Sequence, residues 1–173
     1  MCLLWYRNLL SKAEEVAINK GKVLGANSRY NDGKGRYKRG TLICIDGKVT
    51  VEMINDITES PRVKNDEGIK KIDWAIGGFG TLFPVFDLEL EKIPLGDRQS
   101  ANRTAMAFKG GKVFLIVGQK MTYHDLRAKI LKSLDIDGAV ALDGGGSTQM
   151  LYENNFGIHS NRKLSTIVGI KDL

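Results

Sequence analysis

The feature that most constrains this chain is a short apolar run that ends in a carboxylate, three glycines and two hydroxyls, VALDGGGSTQM at positions 140–150. The apolar residues predict a buried strand that delivers Asp143 to its end. The glycines at 144–146 allow backbone conformations that a side chain would forbid, and they let a ligand approach main-chain N–H groups closely. Ser147 and Thr148 add hydroxyl groups on the far side. The stretch therefore predicts a pocket for an anionic or polyhydroxylated ligand.

Other uses of a glycine-rich segment compete with a ligand pocket. A P-loop requires a lysine directly after its last glycine, and Ser147 stands there instead. A dinucleotide-binding fingerprint requires Gly-x-Gly-x-x-Gly at the start of a helix, whereas residues 149–152 have the pattern of a strand. A tight turn in which Asp143 binds its own backbone stays open as an alternative. Ordinary turns use one or two glycines, and three in a row lose more chain entropy than a turn requires, so the pattern favours a site.

Length and cysteine content predict a single soluble domain. With 173 residues, 42% of them hydrophobic and 27% charged, the chain can bury a core without disulfide bonds, and we expect one domain over residues 1–173. Cys44 lies in the apolar run 42–45, so we expect a reduced, buried thiol. The first residues, MCLLWYRN, form neither a basic segment nor a long apolar one. We therefore predict no signal peptide, no membrane span and a cytoplasmic location.

The net charge of +6 and the pI near 9.3 favour an anionic partner, such as a small phosphodiester or a glycan. Nucleic acid is disfavoured because the basic residues are scattered and no basic run alternates with aromatic residues. His124 and His159 are isolated, and no set of residues has metal-ligand spacing, so we predict no cofactor and no metal site. A structural calcium ion held by carboxylates and carbonyls stays open, and the sequence does not indicate an oligomeric state.

Periodicity and turn signals predict an α+β domain with a mixed, largely antiparallel sheet and flanking helices. Hairpin signals occur at Asp46-Gly47, between strands at 41–45 and 49–53, and at 109–112, between strands at 103–108 and 113–117. A capping box at Thr122 predicts a helix over 122–134. The other predicted elements are a helix over 3–20, strands over 24–27, 72–78 and 164–170, a polar surface excursion over 55–69 and a charged loop over 88–102.

The order of motifs in the second half of the chain resembles that of the phosphodiester glycosidase family. The residues that carry this resemblance are Arg103-Thr104-Ala105 at the start of a predicted hairpin, Met121-Thr122 before a helix, and Leu142–Ser147 after it. The resemblance extends more weakly to residues 25–27 with 40–43 and to 75–78. The family includes an N-acetylglucosamine-1-phosphodiester glycosidase and many bacterial and phage proteins, so a bacterial or phage origin is implied.

The resemblance implies a hydrolase that cleaves a sugar-1-phosphodiester at the anomeric carbon. Asp143 and Arg103 are the implied catalytic residues: the guanidinium binds two phosphate oxygens, and the carboxylate is nucleophile, general base or electrostatic stabiliser. A second carboxylate is not identified, although Asp73, Asp87 and Asp125 are present. Two alternatives stay open, a phosphodiesterase for a nucleotide-type ligand and a non-catalytic module that sequesters a glycan or nucleotide. The implied substrate-binding residues are Asn27, Gly78, Thr104, Gly144, Gly145, Gly146, Ser147 and Thr148.

Overall fold

The structure, a computed structural model, describes residues 2–7, 16–25, 37–63, 65–164 and 166–171. The chain forms two compact units, the first from Met1–Gly77 with Leu164–Leu173 and the second from Gly78–Lys163. Each unit contains a principal sheet and a two-stranded ladder of its own. One domain over residues 1–173 stays a prediction.

Strands make up most of the regular secondary structure of the described chain. In the first unit they are β1 (Cys2–Arg7), β2 (Ala17–Asn19), β3 (Lys22–Gly25), β4 (Arg39–Ile45), β5 (Lys48–Ile54), β6 (Ile72–Gly77) and β13 (Thr166–Lys171). In the second unit they are β7 (Gly80–Phe83), β8 (Ala101–Lys109), β9 (Lys112–Met121), β10 (Gly138–Ala141), β11 (Met150–Tyr152) and β12 (Asn155–Ile158). The described α-helices are α1 (Asp66–Lys70) in the first unit and α2 (Tyr123–Ser133) in the second.

A five-stranded sheet with the order β3-β2-β6-β4-β5 forms the centre of the first unit. The predicted hairpin of β4 and β5 is confirmed, because the two strands pair from Arg39 with Ile54 to Ile45 with Lys48. Asp46 and Gly47 have φ of +52° and +72°, as a two-residue hairpin loop requires. The predicted strand over 72–78 is also confirmed, as β6 lies between β2 and β4.

The predicted helix over 3–20 is wrong wherever the structure describes it. β1 pairs antiparallel with β13, Cys2 opposite Lys171 and Arg7 opposite Thr166. Ala17 and Ile18 are buried in β2, which pairs with β3 and β6. Of the apolar residues that suggested one helical face, Trp5 lies in β1 and Ala17 in β2. Short apolar runs do not distinguish a strand from a buried helix. The predicted closing strand is present as β13, and residues 8–15 lie outside the described residues.

The core of the first unit includes part of the predicted surface excursion. Ile57 and Val63 are buried there, next to a 3-10 turn that the Asp56 carboxylate caps through the Thr58 N–H. Asn65 caps α1 in the same way. The expectation of a purely polar excursion over 55–69 is therefore wrong, because single apolar residues between polar ones fold back into the core. The buried cluster consists of Val16, Ile18, Ile43, Ile54, Ile57, Val63, Ile72 and Ala75.

A four-stranded sheet with the order β7-β10-β8-β9 forms the centre of the second unit. The β8–β9 hairpin confirms the prediction and is longer than expected, since its pairing runs from Lys109 with Lys112 to Ala101 with Met121. A register shift lies between Ala101 and Arg103. β10 lies between β7 and β8, and its residues are buried, as the apolar run had predicted. The sheet thus places Arg103 and the end of β10 on neighbouring strands.

Helix α2 leads into this sheet and begins as the sequence predicts. Thr122 and Asp125 form a capping box, in which the Thr122 hydroxyl accepts the Asp125 N–H and the Asp125 carboxylate accepts the Thr122 N–H. The backbone N–H of Thr122 and then its hydroxyl hold the pKa of Asp125 below its ordinary value. Leu126 and Ile130 are buried, and Arg127 Nε donates to the carbonyl oxygen of Leu82 in β7 at 3.0 Å. The helix is therefore fixed against the strand that borders β10.

The segment before β8 contains a buried carboxylate that was not expected in a charged loop. Glu91 is 0% exposed and accepts hydrogen bonds from the Thr81 N–H at 2.7 Å and the Thr81 hydroxyl at 3.2 Å. Leu88 and Ile93 are buried beside it in the chain. Because β7 is an edge strand of its sheet, the Glu91 carboxylate gives one of its N–H groups a partner. The predicted charged loop over 88–102 is thus partly buried at these residues, and it ends before Ala101, where β8 begins.

The described chain is mostly antiparallel sheet with few helices, which confirms the coarse fold class. The expected parallel component is not found among the described strands, whose ladders are all antiparallel and form four sheets. Two connections pass through a helix: α2 joins β9 to β10 across β8, and α1 lies between β5 and β6, which flank β4. The strands joined in this way run in the same direction but are not neighbours, so no parallel ladder results. Within the described ranges no helix has the length and apolar character needed to cross a membrane.

Candidate functional site

Asp143 lies where the central strand of the second unit leaves its sheet. Ala139–Ala141 are buried between β7 and β8. The contact with β8 continues past the strand, because the Leu142 N–H donates to the Thr104 carbonyl oxygen at 2.8 Å. Asp143 itself is exposed. The backbone thus carries a carboxylate from the interior of the unit to its surface.

The three glycines after Asp143 turn the chain in a way that side chains would obstruct. A β-carbon built on Gly144 would lie 2.9 Å from the Asn102 carbonyl oxygen and 3.4 Å from Arg103 Nη1. Gly145 has φ of +60° and begins a 3-10 turn over Gly145–Ser147. The first glycine therefore lets the turn lie directly on β8, and the second allows the backbone to reverse.

The backbone N–H groups of this turn divide into two sets. The N–H of Gly144 donates to Asp143 Oδ1 at 2.8 Å, and those of Ser147 and Thr148 donate to the carbonyl oxygens of Gly144 and Gly145 at 3.1 and 3.2 Å. Within the described ranges, the N–H groups of Gly145 and Gly146 donate to no protein group. Asp143 does bind its own turn, as the simplest alternative expected. Two adjacent main-chain donors nevertheless remain for a ligand.

Arg103 is 4% exposed and supports the turn from below. Its Nε donates to the Met121 carbonyl oxygen at 3.1 Å, and its Nη2 donates to the carbonyl oxygens of Asp97, at 2.7 Å, and Gln99. Its Cζ lies 4.0 Å from the ring centroid of Tyr123, a cation–π contact. No carboxylate forms a salt bridge with Arg103 in the part of the chain that the structure describes.

These contacts narrow what the Arg103 guanidinium can do for a ligand. A fork that holds two phosphate oxygens needs two neighbouring N–H groups on one edge. Because Nε and Nη2 are used by carbonyl groups, Nη1, on the Gly144 side, is the part that faces the turn. The guanidinium therefore acts first as a buried positive charge next to Gly144.

The other predicted binding residues differ in burial and in contacts. Thr148 is 0% exposed, Thr104 lies on β8 and is partly buried, and neither hydroxyl has a hydrogen-bond partner among the described residues. Gly78 is buried and precedes Phe79, whose N–H donates to the Ala141 carbonyl oxygen at 2.7 Å, so Gly78 lies beside the end of β10. Ser147 is half-buried within the turn. Asn27 lies outside the described residues.

A second arginine lies against the turn, and the sequence had not indicated it. A β-carbon on Gly146 would meet the Arg162 Cδ at 3.6 Å. The Ser160 hydroxyl donates to the Gly146 carbonyl oxygen at 2.7 Å, and the Gln149 side-chain amide donates to the Arg162 carbonyl oxygen at 2.7 Å. The local sequence SNRK is polar and basic and resembles any solvated loop. What distinguishes Arg162 from other exposed basic residues is that the chain returns to the turn after the β11–β12 hairpin and places it there.

Each carboxylate that the sequence offered as a partner for Asp143 has a structural contact. Asp73 accepts the Gly47 N–H at 2.9 Å in the first unit. Asp87 accepts the N–H groups of Glu89 and Leu90, and Asp125 belongs to the capping box. Glu91, which the sequence did not indicate, is buried against Thr81. None of these contacts joins a second carboxylate to the glycine turn, so among these carboxylates only Asp143 belongs to it.

A cluster of metal-ligating side chains and the described free cysteine have no place at the turn in the part of the chain that the structure describes. No group of three or more His, Cys, Asp or Glu side chains could hold a metal ion in the described ranges. Cys44, in the first unit, is a buried free cysteine, as predicted. Burial, and next the nearby Asp73 carboxylate, raise the pKa of its thiol to about 11. A thiol with that pKa is a poor nucleophile at neutral pH.

The family model for phosphodiester glycosidases matches residues 10–171. This range includes the strand, the turn and both arginines described above. The chain belongs to the phosphodiester glycosidase family. The resemblance seen in the motifs is thus confirmed, and membership in this family implies a hydrolase.

A solved structure of a family enzyme has the same fold. The catalytic domain of zebrafish N-acetylglucosamine-1-phosphodiester alpha-N-acetylglucosaminidase, in a form auto-inhibited by its pro-peptide, is similar to this chain with a TM-score of 0.70 and 17% sequence identity. The match covers 99% of this chain and 63% of that chain. At this identity the similarity establishes the fold alone. No curated protein matches the chain.

Proposed function

We propose that this protein hydrolyses a sugar-1-phosphodiester at the anomeric carbon, with the glycine turn of the second unit as its reaction site. The substrate is a small anionic phosphodiester that carries N-acetylglucosamine or a related sugar. Family membership supports the reaction class. Asp143 and Arg103 supply the charged groups, and Gly78, Thr104 and the residues from Gly144 to Thr148 line the site.

The observation that carries this proposal is the buried, carbonyl-bound guanidinium of Arg103 next to a partly exposed glycine turn. A buried cation is costly unless other groups compensate it. Three carbonyl dipoles and the Tyr123 ring compensate Arg103 in part, but none of them carries a full negative charge. The field at the turn therefore favours an anion, and the free N–H groups of Gly145 and Gly146 can donate to its oxygens.

The chemistry requires one carboxylate rather than two. A phosphate monoester is a good leaving group and departs with the electron pair of the bond to the anomeric carbon, so it needs little help from a general acid. In our proposal the oxygen of a water molecule bonds to the anomeric carbon, and Asp143 accepts the proton of that water. The positive charge that develops on the sugar is also stabilised by this carboxylate, whereas Arg103 and the free N–H groups stabilise the departing phosphate.

Hydrolysis in ¹⁸O-labelled water separates this proposal from its alternatives. Cleavage at the anomeric carbon puts the label into the released sugar, whereas a phosphodiesterase puts it into the phosphate. A panel of sugar-1-phosphodiesters and nucleotide diesters, followed by mass spectrometry, therefore reports both the substrate and the broken bond. Label found in the phosphate would contradict the glycosidase proposal. Tight binding of the panel without turnover would indicate a sequestering module.

Asp143→Asn is the matched catalytic variant. Its side chain is exposed and an amide oxygen can still accept the Gly144 N–H, so the fold should be kept. We expect kcat to fall by at least about a hundredfold, the usual contribution of a positioned general base, while KM changes little. Asp87→Asn, an exposed turn carboxylate of the same unit, is the control and should retain wild-type kcat. Equal rates for the two variants would remove Asp143 from the reaction.

A further inference from the structure

Each of the two outer glycines of the turn has an arginine side chain next to the position that its own β-carbon would take. The position of a Gly144 β-carbon faces Arg103, and the position of a Gly146 β-carbon faces Arg162. The two guanidinium groups differ sharply, since Arg103 is buried and bound to carbonyl groups, whereas Arg162 is exposed. We propose that Arg162 is the cation that contacts the phosphate of the ligand directly, and that Arg103 supports the turn from beneath.

The backbone of Arg162 is held in place on both sides. Its N–H donates to the Ser160 hydroxyl oxygen at 3.1 Å, and the same hydroxyl donates to the Gly146 carbonyl oxygen at 2.7 Å. Its carbonyl oxygen accepts the Gln149 side-chain amide at 2.7 Å. Two hydrogen bonds thus fix Ser160–Arg162 to the glycine turn and to Gln149 just after it, and a third orders the segment internally. An anchored backbone reduces the conformational entropy that the residue loses when it binds.

The backbone of Arg162 is anchored, whereas its guanidinium group is available to a ligand. Within the described ranges it forms neither a salt bridge nor a side-chain hydrogen bond. A free guanidinium presents paired N–H groups that match two oxygens of a phosphate, which Arg103 cannot do through its occupied Nε and Nη2. Arg162 therefore completes the two-oxygen contact that the sequence had assigned to Arg103.

This inference rests on the proposed function for the identity of the ligand, but binding can be measured without turnover. Inorganic phosphate is the probe, titrated into the full chain while the amide signals of Gly145 and Gly146 are followed by NMR. Arg162→Ala should weaken phosphate binding at least about tenfold, as expected for the loss of a charge-assisted contact to two oxygens. Arg162→Lys should recover part of the affinity, because a lysine keeps the charge and loses the fork.

Lys163→Ala is the control. Lys163 is the adjacent residue and is exposed, and its replacement by alanine removes the same positive charge. It should change phosphate affinity less than about twofold, so any larger effect of Arg162→Ala reflects position rather than net charge. The thermal midpoints of all three variants should match the wild type, since none of the replaced head groups is buried.

The outcomes separate the two proposals. Equal phosphate affinities for Arg162→Ala and Lys163→Ala would overturn the assignment of Arg162, and so would a wild-type protein that binds no phosphate. Phosphate binding that depends on Arg162, in a protein that hydrolyses no sugar-1-phosphodiester, would support Arg162 as an anion contact and contradict the proposed reaction. If Arg162→Ala also raises KM for a turned-over phosphodiester with little change in kcat, its contact is made in the ground state.

Discussion

Gly144→Ala tests how closely the glycine turn lies on β8. The new β-carbon would lie 2.9 Å from the Asn102 carbonyl oxygen, whereas ordinary carbon–oxygen contacts lie at about 3.3–3.6 Å. A shift of roughly half an ångström is therefore needed. The obstacle is backbone that is continuous with Arg103 in β8, so a side-chain rotation cannot relieve the contact.

The magnitude follows from two opposing effects. Overpacking of this kind destabilises a fold by about 1–3 kcal/mol, and the lower chain entropy of unfolded alanine returns about 0.4–1 kcal/mol. We expect a net loss of about 1–2 kcal/mol, which corresponds to a fall of about 2–8 °C in the thermal midpoint for a chain of this size. The turn must also move relative to Arg103, so activity should fall beyond the loss of stability.

Gly146→Ala is the matched control in the same turn. Its β-carbon would meet only the Arg162 Cδ, at an ordinary contact distance of 3.6 Å. Its unfolding free energy, measured by urea denaturation, should lie within about 0.5 kcal/mol of the wild type or slightly above it. If Gly144→Ala and Gly146→Ala unfold at the same urea concentration, the close approach of the turn to β8 is not present in solution.

Further predictions concern the buried arginine, the helix cap and the thiol. Arg103→Lys leaves carbonyl groups without their donors and should lower the free energy of unfolding by at least about 2 kcal/mol in urea denaturation, whereas an unchanged value would contradict the buried network. Thr122→Ala should cost about 1 kcal/mol through the lost cap. Because the pKa of Asp125 is lowered in the folded protein, its contribution is present above its ordinary pKa and is lost as the pH falls through the lowered value; acid titration of Asp125→Asn should show a smaller loss over that range. Because Cys44 is buried and its thiol pKa is raised to about 11, it should react with a thiol reagent at pH 8 much more slowly in the native than in the unfolded protein. Peptide mass spectrometry distinguishes it from Cys2, and rapid labelling of Cys44 in the native protein would be the contrary result.

Local signals predicted several elements of both units, including the strand that carries Asp143. The hairpin turn at Asp46-Gly47, the capping box at Thr122 and the apolar run before Asp143 each occur as expected. Each of these features depends on side chains within a few residues of it, which a sequence shows directly. The sequence could therefore place the carboxylate and the glycines at the end of one strand.

Long-range pairing accounts for the part that the sequence did not predict. β1 is a strand because β13, at the other end of the chain, pairs with it, and no local pattern reports that partner. Glu91 looks like one more charged loop residue until the edge of β7 lies against it. Arg162 is a second example, because the hydrogen bond from Ser160 to Gly146 brings it next to the turn. Such residues acquire their roles only from tertiary contacts.

The chain leaves the glycine turn, forms the β11–β12 hairpin and returns to the turn. The tip of the hairpin is therefore structurally independent of the turn. Its base is closed by the bonds of Gly146 with Ser160 and of Gln149 with Arg162, and its tip is the exposed turn at Glu153-Asn154. Lengthening a loop whose ends stay joined costs little free energy. The tip can therefore differ in length or sequence while the bonds at the base of the hairpin stay formed.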